Sequence, residues 1–217
     1  MSASAHRRLH DPKFLVGHWP LNGHAQDVSG HGNHGTWAGT EAYVAGPFSG
    51  HAVASLNGTP YVSCGNVVTN LAGEAYSVGC QFKPTSSIVT TQAITDKLYR
   101  YSIYITGSAI TYQWFNGNPG GSSNLYQATS SVGLVLGSWV HVMLTFDGSG
   151  TLSCYANGAL VASDSTATTS AGTPSTDTLG AGSAGGSRLT GLLANSRIYS
   201  CALSGDEVAA LYEFDRR

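Results

Sequence analysis

The sequence predicts an all-β sandwich of antiparallel strands with one short helix near the C-terminal end. Charged residues make up only 10% of the 217 residues, whereas glycine occurs 28 times. This composition favours short strands joined by glycine turns over helices. Residues 139–146 alternate between two faces, one of them carrying valine, leucine and phenylalanine, which predicts a strand with one buried face. Asn157-Gly158 follows, a pair that indicates a type I′ hairpin turn because both central residues then need a positive φ.

Further strands are indicated by short apolar or alternating runs that lie between Gly, Pro and Asn turns. They are residues 14–19, 52–56, 61–64, 77–83, 88–94, 100–105, 110–115, 152–156, 159–163, 178–180 and 189–199, with one or two more within 125–136. Ser204 occupies an N-cap position and Glu207 the capping-box position three residues later, so a helix is predicted to begin there. No linker or repeat divides the chain. We therefore expect one domain, residues 14–217, preceded by a polar arm, residues 1–13.

Charge and hydropathy exclude several classes of function. The formal net charge is only −2, so no strong field attracts nucleic acid or a membrane surface. No apolar run reaches the roughly 18–20 residues of a membrane span, and the N-terminus lacks the apolar stretch of a signal peptide. We expect synthesis in the cytoplasm and no membrane insertion. The four cysteines have no CxxC spacing and are expected to be buried free thiols.

Six segments of the chain, in this order, resemble the laminin-G-like family of concanavalin A-like jelly rolls. They are LVGHWPLNGHAQDVSGHGNHGTW (15–37), GHAVASLNGTPYVSCG (50–65), SVGCQFKPT (77–85), WVHVMLTFDG (139–148), LSCYANGALVAS (152–163) and LTGLLANSRIYSCALSGDEVAALY (189–212). The resemblance covers about residues 14–213 and implies a jelly-roll sandwich of two antiparallel sheets packed face to face. It also implies recognition of a glycan or a protein, often with a structural Ca²⁺. Members of the family occur in secreted enzymes, adhesins and phage particles.

Aromatic residues cluster between positions 99 and 126, with amide side chains beside them. Aromatic rings stack on sugar rings and amides hydrogen-bond to sugar hydroxyls, so this region is the candidate glycan site. The candidate ligand-binding residues are Tyr104, Tyr112, Trp114, Asn116, Asn118 and Asn124. Strand alternation places Tyr112 and Trp114 on one face and Gln113 on the other, so at most one of these sets faces water. The alternative is that half of the aromatic residues belong to the sandwich core.

The glycine-rich loop after the first strand contains the candidate metal ligands, Asp27 and Asn33. With backbone carbonyls around residues 30–32, these side chains offer the oxygen ligands that Ca²⁺ prefers. The alternative is that Asp27 closes an Asx turn and Asn33 caps its own loop. Where the family usually carries an acidic pair ahead of Arg197, this chain has Ala194-Asn195.

The residues offer little for catalysis. Glycoside hydrolysis uses two placed carboxylates, and no strand carries closely alternating acids. A serine hydrolase would need a nucleophile elbow, which is also missing. The histidine of the central strand, His141, is expected to be a hydrogen-bonded sheet residue. We therefore predict that the protein is not an enzyme.

The expected function is recognition or a structural role in a larger surface assembly such as a phage virion, as a capsid decoration or tail protein. The predicted location is a virion or extracellular surface, and the predicted partners are a glycan or protein surface and other subunits, including copies of this chain. The basic arm, residues 1–13, is expected to dock onto a neighbouring subunit. Two alternatives stay open: a free-standing carbohydrate-binding module or lectin, and a polysaccharide lyase or glycanase of the same fold.

Overall fold

The structure, a computed structural model, describes residues 8–47, 51–67, 74–86, 90–97, 100–115, 125–130, 133–165, 175–182 and 185–216. Its strands are β1 Leu15–Trp19, β2 Thr36–Ala38, β3 Tyr43–Ala45, β4 Ala52–Asn57, β5 Tyr61–Ser63, β6 Tyr76–Pro84, β7 Gln92–Lys97, β8 Tyr101–Thr106, β9 Ala109–Phe115, β10 Leu125–Ser130, β11 Val140–Phe146, β12 Leu152–Ala156, β13 Ala159–Asp164, β14 Asp177–Leu179 and β15 Thr190–Tyr199. The C-terminal helix is Gly205–Asp215, and residues 8–10 are also helical. No helix within these ranges is long and apolar enough to cross a membrane.

The strands form two antiparallel sheets, which confirms the predicted jelly-roll sandwich. Sheet A has the order β13-β12-β11-β6-β15-β4-β3, with β1 also paired to β15. Sheet B has the order β10-β9-β8-β7-β14-β5-β2. The short strand β3 was not predicted from the sequence, and β7 continues to Lys97, beyond its predicted end.

A stack of aromatic rings fills one region between the two sheets. The ring of Trp114 lies 4.9 Å from that of Tyr76 and 4.6 Å from that of Phe146, measured between centroids, and both pairs are nearly parallel. All three side chains are fully buried. Aromatic pairs of this kind add about 0.5–1.5 kcal/mol beyond their area burial. The stack therefore fixes which face of β9 points inward.

The outer face of sheet A is covered by the C-terminal helix. Val208 and Leu211 of the helix are buried against Met143 of β11 and Tyr199 of β15. The predicted capping box is present: the Ser204 hydroxyl accepts from the backbone N–H of Glu207 at 3.3 Å, and the Glu207 carboxylate accepts from the N–H of Ser204 at 2.8 Å. The helix thus begins at the residue that the sequence indicated.

The described part of the N-terminal arm, residues 8–13, packs onto its own domain, against the expectation that the arm docks onto a neighbouring subunit. Leu9 is only 2% exposed and belongs to the cluster beneath the C-terminal helix. The Tyr199 hydroxyl donates to the Leu9 carbonyl at 3.2 Å, and Arg8 donates to the Ala202 carbonyl at the same distance. Burial of this leucine stabilises the docking by roughly 1.5–3 kcal/mol. Residues 1–7 lie outside the described ranges.

All four cysteines are free thiols, as the sequence predicted. Cys64, Cys80 and Cys154 are buried, and Cys201 is half-buried. Burial raises the pKa of Cys154 to about 12, because the thiolate would lose its hydration inside the sandwich. The buried thiols are therefore expected to be unreactive in the folded protein.

The hairpin between β12 and β13 has the predicted backbone, with φ of 49° at Asn157 and 78° at Gly158. Gly158→Val is expected to destabilise the protein by more than about 2 kcal/mol, because strain at positive φ is added to a clash. A Cβ at this position would lie 3.0 Å from the ring of Tyr212 in the C-terminal helix. Gly137 is a matched control with φ of 80° and open space around its Cβ position. If chemical denaturation shows that Gly158→Val and Gly137→Val lose the same free energy of unfolding, the clash with Tyr212 is contradicted.

Candidate functional site

A pocket of about 300 Å³ opens on the outer face of sheet B. Its described lining consists of polar and small side chains around one aromatic ring: Thr91, Ala93, Asp96, Ser102, Tyr104, Gln113, Gly182, Gly186 and Ser187. Concave sites with a few placed polar groups are typical of small-ligand binding. Another pocket, of about 220 Å³, lies near Thr40 and Asn57 and has no aromatic residue in its described lining.

The strand register explains why these polar side chains meet. Asp96 of β7 pairs with Ser102 of β8, which in turn pairs with Gln113 of β9, so the three residues form one row across the sheet. Directly paired residues place their side chains on the same face of a sheet. Their neighbours along the strands, such as Tyr101 and Tyr112, point into the core and are fully buried. The row therefore lines the solvent-facing side of sheet B.

Tyr104 is held in place by Gln113. The amide nitrogen of Gln113 donates to the Tyr104 hydroxyl at 2.8 Å and lies 3.3 Å from the Gln127 amide oxygen. Burial raises the pKa of Tyr104, although hydrogen bonds with Thr111 and Gln113 oppose that effect. The phenol is thus neutral at physiological pH. It presents a half-buried ring with a hydroxyl at its edge.

One wall of the pocket is formed by Gly182, Gly186 and Ser187, which lie between β14 and β15. The N–H of Gly182 donates to the Gly186 carbonyl at 2.7 Å, and the N–H of Ala93 donates to the Ser187 carbonyl at 2.6 Å. These bonds join Gly182 to Gly186 and Ser187 to β7. Ser187 has φ of 47°, a left-handed conformation that turns the chain back toward β15. This wall of the pocket is therefore attached to sheet B through the hydrogen bond with β7.

The structure separates the predicted ligand-binding residues. Tyr104 lines the pocket, whereas Tyr112 and Trp114 are fully buried on the core side of β9. Their prediction as ligand contacts is wrong, because the aromatic stack between the sheets already buries the Trp114 ring and the Tyr112 hydroxyl donates to the Tyr155 carbonyl at 2.7 Å. The three predicted asparagines, Asn116, Asn118 and Asn124, lie outside the described residues.

Sequence reasoning missed Asp96, Ser102 and Gln113 as site residues. The signal that marks two of them is the alternation of β8 and β9, in which Ser102, Tyr104, Thr111 and Gln113 fall on the face opposite the aliphatic and large aromatic residues. Asp96 gave no such signal, because both faces of β7 are buried and its sequence therefore does not alternate between polar and apolar residues. Only the pairing with Ser102 places Asp96 at the pocket.

The predicted metal loop is closed by its own hydrogen bonds. One oxygen of Asp27 accepts from the N–H groups of His18 and Ser29, and the other accepts from the Ser29 hydroxyl and the N–H of Asn33, all at 2.9 Å. The Asn33 amide donates to the Val16 carbonyl at 2.8 Å. Burial would raise the pKa of Asp27, but these backbone and hydroxyl donors lower it below its usual value. This is the Asx-type arrangement that the sequence left open.

No cluster of three or more His, Cys, Asp or Glu side chains suited to a metal ion occurs within the described ranges. Calcium binding at Asp27 and Asn33 stays a prediction, and an ion there would compete with the four hydrogen bonds to the carboxylate. Thermal melts in EDTA and in millimolar Ca²⁺ test it. Asp27→Ala should lower stability by roughly 1–3 kcal/mol even in EDTA, because buried N–H groups lose their acceptor. A calcium-dependent shift that Asp27→Ala removes would establish the ion.

Comparison with known families and with curated proteins gives two results. The family model of the concanavalin A-like lectin/glucanases superfamily matches residues 56–209. No curated protein matches the chain.

Solved structures of the same architecture include domain 4 of AbnA, a GH43 extracellular arabinanase from Geobacillus stearothermophilus, in complex with arabinotriose. It has a TM-score of 0.71 and 23% identity, covering 91% of this chain and 98% of that domain. The binding domain of botulinum neurotoxin serotype D/C has a TM-score of 0.74 and 15% identity, covering 95% of this chain and 53% of its own length. A further neurotoxin DC binding domain, in complex with SialylT, has a TM-score of 0.73 and 14% identity, covering 95% of this chain and 52% of its own length. The chain thus spans about half of these neurotoxin domains, and the similarity establishes the shared fold.

Proposed function

The chain belongs to the concanavalin A-like lectin/glucanases superfamily, and on this premise we propose that it is a non-catalytic glycan-recognition domain that binds sugar in the sheet B pocket. The observation that carries the proposal is the row of Asp96, Ser102 and Gln113 beside the Tyr104 ring. Sugar rings present apolar C–H faces and hydroxyl edges. An aromatic ring surrounded by hydrogen-bonding side chains complements both kinds of surface.

The fold neighbours support the proposal at the level of protein class. The arabinanase domain was solved with arabinotriose, and one of the neurotoxin domains with SialylT. These are statements about those proteins. For this chain, the proposal rests on the polar lining and on the ring held by Gln113.

The proposal assigns binding without hydrolysis. Asp96 is the only carboxylic acid in the described lining of the pocket, whereas glycoside hydrolases place two such groups about 5–10 Å apart. A reducing-end assay on neutral and anionic polysaccharides tests this assignment. If the native protein releases new reducing ends and the Asp96→Asn variant does not, the protein is a glycanase and the assignment is wrong.

The location of the protein and its assembly with other subunits stay predictions. A virion or another extracellular surface is where a glycan-binding pocket would meet its ligand, and assembly with other subunits is a further prediction. The assembly role was motivated by the glycan-type fold, the missing export signal, the charge-poor surface and, above all, a basic arm at residues 1–13 expected to dock onto a neighbour. Because Leu9 is buried against its own domain, the arm no longer supports the assembly role.

Glycan-array screening followed by titration calorimetry with arabinotriose and the array hits tests the pocket. Tyr104→Ala is expected to weaken binding at least about tenfold, because the ring supplies the apolar contact with the sugar. Tyr43→Ala is the control, since Tyr43 is a half-buried tyrosine of β3 in sheet A whose hydroxyl accepts from Trp37 at 3.0 Å. Absence of binding by the native protein, or equal affinity in both variants, would remove the assignment.

A further inference from the structure

We propose that the folded protein forms an intramolecular amide bond between the side chains of Lys97 and Asn66, with Asp177 as the proton acceptor. Of the three lysines in the chain, only Lys97 is buried, with 1% exposure. Its side-chain nitrogen Nζ lies 2.8 Å from the Oδ1 atom of Asn66 and 2.6 Å from the Oδ2 atom of Asp177. An amine, an amide carbonyl and a carboxylate thus meet at one point of the sandwich. The proposal does not depend on glycan binding.

Strand pairing brings the three residues together. Lys97 ends β7 and pairs directly with Asp177, the first residue of β14. Asn66 follows β5, which is the other neighbour of β14. The chain just before Asn66 is fixed to β14, because the Cys64 N–H donates to the Asp177 carbonyl at 2.8 Å. The Asp177 N–H in turn donates to the Gly65 carbonyl at 2.7 Å. The lysine side chain therefore reaches past β14 to the segment beyond it.

The amide carbonyl of Asn66 is within reach of the amine. Because a C=O bond is about 1.2 Å long, the Asn66 carbonyl carbon lies no more than about 4 Å from Nζ of Lys97. Reacting atoms in a near-attack arrangement are about 3–3.5 Å apart, so a small side-chain rotation is sufficient. Nζ also donates to the Ser175 carbonyl at 3.1 Å, which holds the amine in place. The fold thus supplies a proximity that the free side chains lack.

Asp177 is positioned to take a proton from the ammonium group. An amine attacks a carbonyl only in its neutral form. Transfer of one proton along the 2.6 Å contact between Lys97 and Asp177 gives a neutral amine and a neutral carboxylic acid, and it relieves the desolvation cost of a buried ion pair. The Tyr101 hydroxyl donates to Asp177 at 2.5 Å and the Val67 N–H at 3.0 Å. These donors fix the carboxyl group beside the segment that carries Asn66.

The reaction exchanges one amide for another and releases ammonia. The lone pair of Nζ attacks the Asn66 carbonyl carbon, and the π electrons of the carbonyl move onto Oδ1. Asp177 gives its proton to the Asn66 amide nitrogen and takes a second proton from Nζ. The bond from carbon to that amide nitrogen then breaks, the carbonyl re-forms and ammonia leaves. Asp177 keeps one proton and stays neutral, so no buried carboxylate is left without a cation.

The mass of the intact folded protein tests the proposal. We expect most of the native protein to be lighter than the unmodified chain by one ammonia molecule. Cleavage after Glu74 and Arg100 divides the chain between the two residues. A branched peptide that joins Asn66 to Lys97 is therefore expected in the native digest. The mass, unlike the stability, distinguishes the covalent bond from the ion pair of the same lysine.

Variants of each participant locate the bond. Asn66→Ala and Lys97→Met should both have the full mass of their chains. Asp177→Asn keeps the shape of the side chain but removes the proton acceptor, and most of this variant should stay unreacted. Asn57→Ala is the control, since it removes an exposed asparagine at the end of β4 that is followed by glycine. It should lose ammonia as the native protein does, with circular dichroism confirming that each variant is folded.

Three results would overturn the proposal. The first is native protein that keeps its full mass after prolonged incubation in the folded state. The second is ammonia loss that persists in Asn66→Ala or disappears in Asn57→Ala, because the ammonia then comes from another asparagine. The third is loss of one water molecule instead, with a branched peptide that joins Lys97 to Asp177, because Asn66 is then not the acceptor.

Discussion

Lys97→Met is expected to lower the free energy of unfolding by about 3–5 kcal/mol, because it leaves a buried carboxylate without its cation. The ammonium of Lys97 lies 2.6 Å from Asp177, and both side chains are 1% exposed. The same ammonium also donates to the Asn66 amide oxygen at 2.8 Å. Asp177 accepts in addition from the Tyr101 hydroxyl at 2.5 Å. Removal of the lysine thus affects β7, β8 and β14 together.

A double-mutant cycle isolates the role of charge. Asp177→Asn combined with Lys97→Met removes both charges, so we expect the double variant to be more stable than Lys97→Met alone. Lys83→Met is the matched control, since Lys83 is half-buried on β6 and substitutions away from such networks usually change stability by less than about 0.5 kcal/mol. Urea denaturation of the native protein, Lys97→Met, Asp177→Asn and the double variant measures the cycle, with Lys83→Met denatured alongside. A loss below about 1 kcal/mol in Lys97→Met would contradict the role assigned to the pair.

The protein is also expected to lose stability as the pH falls from 6.5 toward 4, because His141 is buried in its neutral form. Burial lowers the pKa of His141 from 6.5 to about 4. A histidine with a lowered folded-state pKa takes up a proton more readily when unfolded, so its contribution is complete above pH 6.5 and is lost as the pH falls toward 4. A shift of this size corresponds to about 3 kcal/mol. Burial also lowers the pKa of His18, to about 2, and Arg197 adds to this effect, so His18 acts in the same direction.

Denaturation curves at a series of pH values measure this loss. His141→Phe keeps an aromatic ring next to Tyr212, whose ring centroid lies 5.9 Å from that of His141, and it cannot be protonated. We expect its stability to fall less steeply between pH 6.5 and 4, the window set by the two pKa values of His141. Met143→Leu changes the same face of β11, keeps both histidines and should retain the native pH dependence. Parallel curves for His141→Phe and the native protein would show that another group is responsible.

The fold follows from the sequence where the signals are local. The Asn157-Gly158 turn and the Ser204 capping box depend on neighbouring residues alone, and both appear at their predicted positions. Alternation likewise placed one face of β11 in the core. The expectation that His141 would be hydrogen-bonded was wrong, because neither of its ring nitrogens has a partner among the described residues. The C-terminal helix that buries this histidine is adjacent only in three dimensions.

The site was predictable only in part, because it depends on pairing between distant strands. Tyr104 was identified by its type, but the same reasoning selected Tyr112 and Trp114, which fill the core. Alternation showed that β9 has two faces without indicating which one is solvated. The choice is made by packing across the sandwich, where Trp114 meets Tyr76 and Phe146. Asp96 enters the site only through its register with β8.

Packing of the C-terminal helix on sheet A gives the molecule a direction of attachment. Arg8 and the C-terminal helix lie side by side on the outer face of sheet A, joined by a 3.4 Å ion pair between Arg8 and Glu207. The pocket opens on the outer face of sheet B, across the full thickness of the sandwich. A tether, tag or neighbouring domain joined after the C-terminal helix would therefore start on the face opposite the pocket. Immobilised through its C-terminal end on a flat support, the domain would hold its pocket toward the solution.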